Sequence, residues 1–372
     1  MYFQTKNSIV HYLLSRNLLD YKTLVDGEVT VSEITSRNRN YAVLLGSRPG
    51  LFVKHIRPDQ LGASHTLSRE AYCYRMVAAE PAFAPLAALM PQFHAYDGHR
   101  HVLVIELLPQ SESVANYYRR TADFGGDIAV RLGSALGTYH SNLARETESP
   151  AWSKPAYQNL FPKAIPWILL FHGPEGEGFR QLSAANTQLR GILNRYAEFP
   201  VHLDQLHAEW SINTLIHGDM KFENCVLCRP NGANEPQLKV IDWEIADLGD
   251  GCWDVGAIFQ SFLNLWVFSM PASFDTPPEE LETHAKYPLN HMVPAIKAFW
   301  RAYADRLELE KEAERTLLQR CVRHAAARML QTVFESMNSQ AQLSPNAVFL
   351  CQLSLNILLN TDEATSVLLG LG

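Results

Sequence analysis

What this chain lacks narrows its class before any motif is read. It has no basic excess: 32 Lys and Arg stand against 39 Asp and Glu in 372 residues, a formal net charge of −7. Proteins that hold a nucleic-acid backbone carry a basic face, so nucleic acid is excluded as an expected partner. It also lacks an uncharged apolar run of the roughly eighteen residues that cross a bilayer. Its most apolar stretch, Val255 to Met270, is too short and is interrupted by Gln260, Ser261 and Asn264. The first residues place Ile9, Val10, Leu13 and Leu14 at helical spacing and hold no signal-peptide core. A cytoplasmic protein without membrane attachment is the expectation.

Cysteine is scarce as well, at positions 73, 225, 228, 252, 321 and 351. Cys225 and Cys228 form a lone Cys-x-x-Cys. A zinc site needs two further ligands at comparable spacing, and none follows. On a strand, residues three apart point to opposite faces, which excludes a disulfide between them, so buried thiols are expected. The chain shows no internal repeat and no low-complexity tract. Hydrophobic residues make up 47% and charged residues 19%, enough to bury a sizeable core, and the length exceeds the usual single-core size, which predicts two domains.

Set against these absences is one dense stretch. His217-Gly218-Asp219 is followed by Asn224, then by Ile241-Asp242-Trp243-Glu244, then by Gly249-Asp250 and Asp254. Phosphoryl transfer requires a carboxylate that orients the acceptor hydroxyl and takes its proton, plus a carboxylate and an amide oxygen to hold Mg²⁺ on the nucleotide phosphates. Asp219, Asp242 and Asn224 are those three groups. Asp-x-x-x-x-Asn is also the catalytic-loop spacing of protein kinases. With all residues equally frequent, the four fixed letters arise by accident in about one chain of this length in four hundred. Around the motif, Ser211–Ile216, Cys225–Cys228 and Leu238–Ile241 read as short strands, the last two separated by the turn residues Arg229 to Pro236. Such a hairpin is expected to bring Asp219 and Asn224 to one end, with Asp242 just past the last strand.

The segment resembles the catalytic core of the aminoglycoside phosphotransferase and choline kinase superfamily. Its members carry His-Gly-Asp-x-x-x-x-Asn, Ile-Asp-Trp/Phe-Glu and Gly-Asp-Pro-x-x-Asp, and mostly phosphorylate small molecules. Gly251 and Cys252 stand where that family often has proline and its neighbour. The resemblance implies an α+β, bilobal protein-kinase-like fold. A small antiparallel-sheet N-lobe would bind nucleotide over residues 1–108, and a larger, mostly helical C-lobe would carry the catalytic loop and acceptor-binding helices over 109–372. It further implies an ATP- and Mg²⁺-dependent phosphotransferase, with Asp219 as catalytic base and Asn224 and Asp242 on the metal.

The remaining nucleotide contacts are expected upstream. Leu51-Phe52-Val53-Lys54 is an apolar strand ending in a lysine, the placement of the kinase lysine that touches the α and β phosphates. Glu70, in a helical run opening at Ser68, is its expected ion-pair partner, in a partly solvated pair. Between strands at Val29–Ile34 and Tyr41–Leu45, relatives often have a glycine-rich hairpin, but no glycine is present here. Ser36, Arg37 and Asn38 would supply side-chain donors to phosphate instead, or form an ordinary polar turn. The strand His101 to Pro109 reads as the hinge, with adenine bonded to backbone near Glu106 and Leu108, or simply as a buried strand.

Beyond the hinge the chain reads as helical, with Asp127–His140 as a long helix in which His140 is packing. Further helices are expected at Val255–Phe268, Asn290–Leu307, Glu312–Met337 and Asn346–Asn360. Arg320, Arg323, His324 and Arg328 share roughly one helix face, a solvated face or a strip for an acidic or phosphorylated partner. Glu279, Glu280 and Glu282 read as a loop and helix start rather than a cation pocket. The aromatic and proline-rich stretch Ala151–Trp167 reads as filler between lobes or as one wall of a peptide groove. Three functions follow: a kinase of a small-molecule hydroxyl, a kinase of Ser or Thr in a peptide, and a catalytically silent nucleotide-binding scaffold. The first is the leading expectation.

Overall fold

Alternate burial builds the N-terminal sheet. In strand β2 (Arg39–Leu45), Tyr41, Val43 and Leu45 are buried while their neighbours are not. The helix Lys6–Ser15 sets Ile9, Tyr12 and Leu13 into the same cluster. Strands β1 (Val29–Thr35), β2, β3 (Arg48–His55), β4 (Phe93–Asp97) and β5 (Val102–Glu106) form one antiparallel sheet in the order β1-β2-β3-β5-β4. Val102 through Ile105 are all buried, as a strand covered on both faces requires. The helix Leu61–Ala79 begins earlier than Ser68, and its inner face carries Leu67, Glu70, Ala71 and Tyr74 at helical spacing.

The computed structural model describes residues 6–35, 39–56, 61–144, 160–174, 182–229, 235–271 and 282–372. Ser36, Arg37 and Asn38, residues 151–159 of the aromatic insertion, and Glu279 and Glu280 lie outside these ranges. The chain divides into two compact units. One is built mainly on residues up to Val114 together with Asn224–Ala246, the other on Ala115 to Glu223 and Asp247–Gly372. In the first unit, β6 (Glu112–Ser113) pairs with β8 (Cys225–Cys228), which pairs in turn with β9 (Gln237–Val240). In the second, β7 (Thr214–Ile216) pairs with β10 (Asp247–Gly249). The expected hairpin therefore forms between β8 and β9, while the strand before the motif lies outside it and bonds β10. Residues ahead of it are drawn elsewhere: Ser211 and Asn213 hydrogen-bond the Asp250–Gly251 turn.

The second unit is otherwise helical. Gly126–Ala144 packs on Leu289–Ala304 so closely that a Cβ at Gly133 would lie 2.2 Å from the Phe299 carbonyl oxygen. Lys311–Ser336 also lies close along Gly251–Val267, where a Cβ at Gly256 would meet the Ala325 backbone nitrogen at 2.8 Å. That close approach fixes where the inner face of Lys311–Ser336 points. No helix among the described residues is long and apolar enough to cross a membrane.

Candidate active site

Strand pairing carries Lys54 into the interior of the first unit. On β3 it stands opposite Asn40 of β2 and Leu103 of β5, and it is 8% exposed. Its Nζ donates to both Glu70 oxygens, at 2.7 and 2.8 Å, and to Asp242 Oδ1 at 2.7 Å. Glu70 is 1% exposed, so the pair is buried rather than partly solvated as its sequence context suggested. The reason is Glu70's place within the apolar stripe of its helix. Burial pushes the Glu70 carboxyl up to about 7, Lys54 works against that rise, and Asp242 adds to it. Burial disfavours the Lys54 ammonium too, but the two carboxylates outweigh it and hold the lysine charged, above its ordinary range.

The hairpin brings Asn224 and Asp242 to one end. Cys225 stands opposite Val240, and the Ile241 N–H donates to the Asn224 carbonyl at 3.0 Å, extending the ladder past both strands. Asp242 then turns into the left-handed region, φ 69° and ψ 52°. Such backbone costs about 1–3 kcal/mol outside glycine and persists where its surroundings enforce it. Here Lys54 grips the side chain, and the fully buried Trp243 anchors the next residue by donating to the Val240 carbonyl at 3.0 Å. All six cysteines, Cys225 and Cys228 included, are buried free thiols. At the expected hinge, the Glu106 N–H donates to Gln92 at 2.8 Å and the Leu107 N–H to Gly50 at 2.9 Å, while Leu108 is half-buried.

Asp219 belongs to the second unit, on a peptide gripped from two sides. Asp254, fully buried, accepts from the His217 and Gly218 N–H groups at 2.6 and 3.0 Å and from the Tyr139 hydroxyl at 2.7 Å. On the other side, the Gly218 carbonyl accepts from Trp253 Nε1 and from Arg328, both at 2.9 Å. Gly218 itself sits at φ +82°, open to glycine at little cost. Two cations face the Asp219 carboxylate: Lys221 Nζ at 2.6 Å from Oδ2 and Arg328 at 3.3 Å from Oδ1. Burial favours the protonated acid, but Lys221 and Arg328 together overcome it and hold the carboxyl below its usual range.

Neither cation was selected as a partner of Asp219 from sequence. Lys221 stands two residues away, a signal available to inspection. The sequence pattern places Arg328 on a solvated or partner-binding strip, and the structure corrects that expectation. His324 is fully buried between the rings of Trp210 and Trp253, and Arg328 is 3% exposed. Arg320 pairs with the buried Asp250 and Arg323 with Glu209. The close approach at Gly256 turns this face inward. Packing also explains Gly251, where relatives often have proline: its N–H donates to Asn213 Oδ1 at 3.0 Å, a bond proline cannot make, and a Cβ would lie 3.1 Å from His140 Nδ1. His140 is buried and touches the Tyr303 hydroxyl at 3.1 Å, as a packing residue.

Comparison with known proteins identifies the family. The phosphotransferase enzyme family APH matches residues 30–286, more than half of the chain, and the protein belongs to it. It is a phosphotransferase with an alcohol group as acceptor. Solved structures similar to it include a Plasmodium vivax ethanolamine kinase, at 13% identity over 96% of this chain and 89% of that one, TM-score 0.57. A choline kinase from Cryptosporidium parvum Iowa II matches at 11% identity over 97% and 96%, TM-score 0.57. The GDP complex of aminoglycoside 2'-phosphotransferase-IIIa matches at 14% identity over 96% and 100%, TM-score 0.54. At such identities the likeness establishes the fold, which is α+β and protein-kinase-like. No curated protein sequence gives a significant match.

Proposed function

We propose that the protein transfers the γ-phosphoryl group of ATP, with Mg²⁺, to a hydroxyl of a small molecule. In this reading residues 1–108 bind nucleotide and 109–372 carry catalysis and acceptor binding. The observation that supports it best is Asp219, a half-buried carboxylate held ionised by Lys221 and Arg328 at the wall of a cavity. Asp219 accepts the acceptor's hydroxyl proton as that oxygen attacks the γ-phosphorus, and the bridging oxygen leaves with ADP. Lys54, fixed by Glu70, reaches the α and β phosphates, with Ser36, Arg37, Asn38 and the backbone near Glu106 and Leu108 completing the nucleotide contacts. Asn224 and Asp242 offer hard oxygen donors from adjacent strand ends, a set that fits Mg²⁺. The ion would neutralise charge on the phosphates.

Calorimetric titration of ATP with and without Mg²⁺ tests the nucleotide half. Binding is expected to strengthen with the metal, and Asp242→Asn to lose that gain. No heat at millimolar ATP in either buffer would refute the reading.

The acceptor half rests on the cavity of about 570 Å³ beside Asp219. Its acids are already engaged: Glu223 pairs with Arg119 at 3.1 Å, and Glu335 accepts from Gln331 at 2.7 Å. Arg119, Lys221, Lys286 and Arg328 are the cations of its wall, which the amides of Gln260 and Asn264 also line. A cationic acceptor gains little there, so the reading commits to a neutral or acidic alcohol. The choline, ethanolamine and aminoglycoside enzymes of similar fold act on amine-bearing alcohols, which makes the contrast measurable. With γ-labelled ATP, transfer to polyols or hydroxy acids should exceed transfer to amino alcohols of equal size. The reverse order would sink this assignment.

A further inference from the structure

We propose that Arg328, more than a hundred residues downstream in the helix Lys311–Ser336, is a positioning residue that sets both the orientation and the charge state of Asp219. This rests on the reading of Asp219 as the base. The guanidinium spans two acceptors at once, the Gly218 carbonyl at 2.9 Å and Asp219 Oδ1 at 3.3 Å. It therefore ties the backbone just before the carboxylate to the carboxylate itself. A planar fork with donors at fixed separation can do this, whereas an ammonium supplies a point charge without that geometry. The guanidinium is itself immobilised. It lies over the Trp253 ring, 4.8 Å from the centroid, and Trp253 Nε1 donates to the same Gly218 carbonyl.

The position matters because the peptide around Gly218 has its two N–H groups claimed by Asp254 and its carbonyl by Trp253 and Arg328. Of these three side chains, Arg328 also touches the reacting carboxylate. Lys221 reaches the other carboxylate oxygen, but from the flexible end of a half-exposed side chain of the same loop. Titratable and charged groups around Asp219 are Lys221 and His217 from its own loop and Arg328 from the helix, with Glu335 of that helix acting on Lys221. Arg328 is the cation among these whose geometry is set by packing, since it is 3% exposed.

The test follows the Asp219 carboxyl directly. In protein labelled with ¹³C at aspartate side chains, the Asp219 resonance is assigned by its loss in Asp219→Asn and titrated in wild type, Arg328→Met and Arg328→Lys. Arg328→Met should move the midpoint upward, because burial is then opposed without the guanidinium. Arg328→Lys should leave the midpoint low yet reduce kcat for phosphoryl transfer from Mg·ATP by about 10²-fold, the scale of a misplaced catalytic group, with KM for ATP unchanged. A purely structural role would lower Tm in both variants and leave the midpoint alone. An unmoved midpoint in Arg328→Met, or full kcat in Arg328→Lys, overturns the proposal. An Asp219→Asn protein with wild-type turnover removes the base reading and this proposal with it, whereas an inactive Asp219→Asn beside an unaffected Arg328→Met rejects Arg328 alone.

Discussion

Asp219→Asn is expected to lower turnover by about 10² to 10⁴, the usual worth of a positioned general base, while leaving the affinity for Mg·ATP near its wild-type value. The asparagine keeps the shape of the side chain and its reach toward Lys221 and Arg328, 2.6 and 3.3 Å away. It removes the charge that receives the hydroxyl proton. It also leaves two cations facing a neutral amide, so some loss of stability should accompany the kinetic effect. Steady-state kinetics with an identified acceptor, set beside calorimetric ATP titration, separates the two consequences. Asp242→Asn should weaken Mg²⁺-dependent ATP binding as well as turnover. Were the two variants to lose ATP binding equally, the division of roles between the carboxylates would be wrong.

Lys54→Met carries the second large effect, and on two measurements. Turnover should collapse because the lysine that reaches the α and β phosphates is gone. Stability should fall as well, by about 3–5 kcal/mol, the cost of removing one partner of a buried ion pair, since Glu70 is 1% exposed. The loss has a pH signature. In the fold the Glu70 carboxyl is pushed up to about 7, above its value in the unfolded chain, and without Lys54 it rises further. A raised carboxyl is harmless below its unfolded pKa, destabilises progressively as pH climbs from there to the folded pKa, and has its full cost above it. Lys54→Met should therefore lose more Tm against wild type at pH 8 than at pH 5. Adding Glu70→Gln should restore much of that Tm without restoring turnover. Equal Tm losses at the two pH values, or recovery of activity in the double variant, would contradict the assignment.

Several features were legible in the chain before it was folded. Strand periodicity at Tyr41, Val43 and Leu45 located the sheet, and helical spacing located Lys311–Ser336 and Gly251–Val267 to within a few residues. These signals are local, set by backbone geometry repeating every two or 3.6 residues. Glu70 was also readable as the partner of Lys54, in a helical run sixteen positions downstream of it. The depth of its pairing was not, since solvent exposure depends on everything packed around it.

By itself the sequence determined the chemistry available: a carboxylate, an amide and a second carboxylate at kinase-like spacing. Only the tertiary structure decided the company those groups keep. It paired β7 with β10, drew Asp242 onto Lys54, and turned Arg328 from an apparent surface strip onto Asp219. The physical reason is that motif spacing is a property of adjacent residues, while the Arg328 contact depends on two helices approaching at Gly256 to a distance a single methyl group would block. Such an approach is fixed by the packing of the whole helical unit, and no local pattern in the chain encodes it.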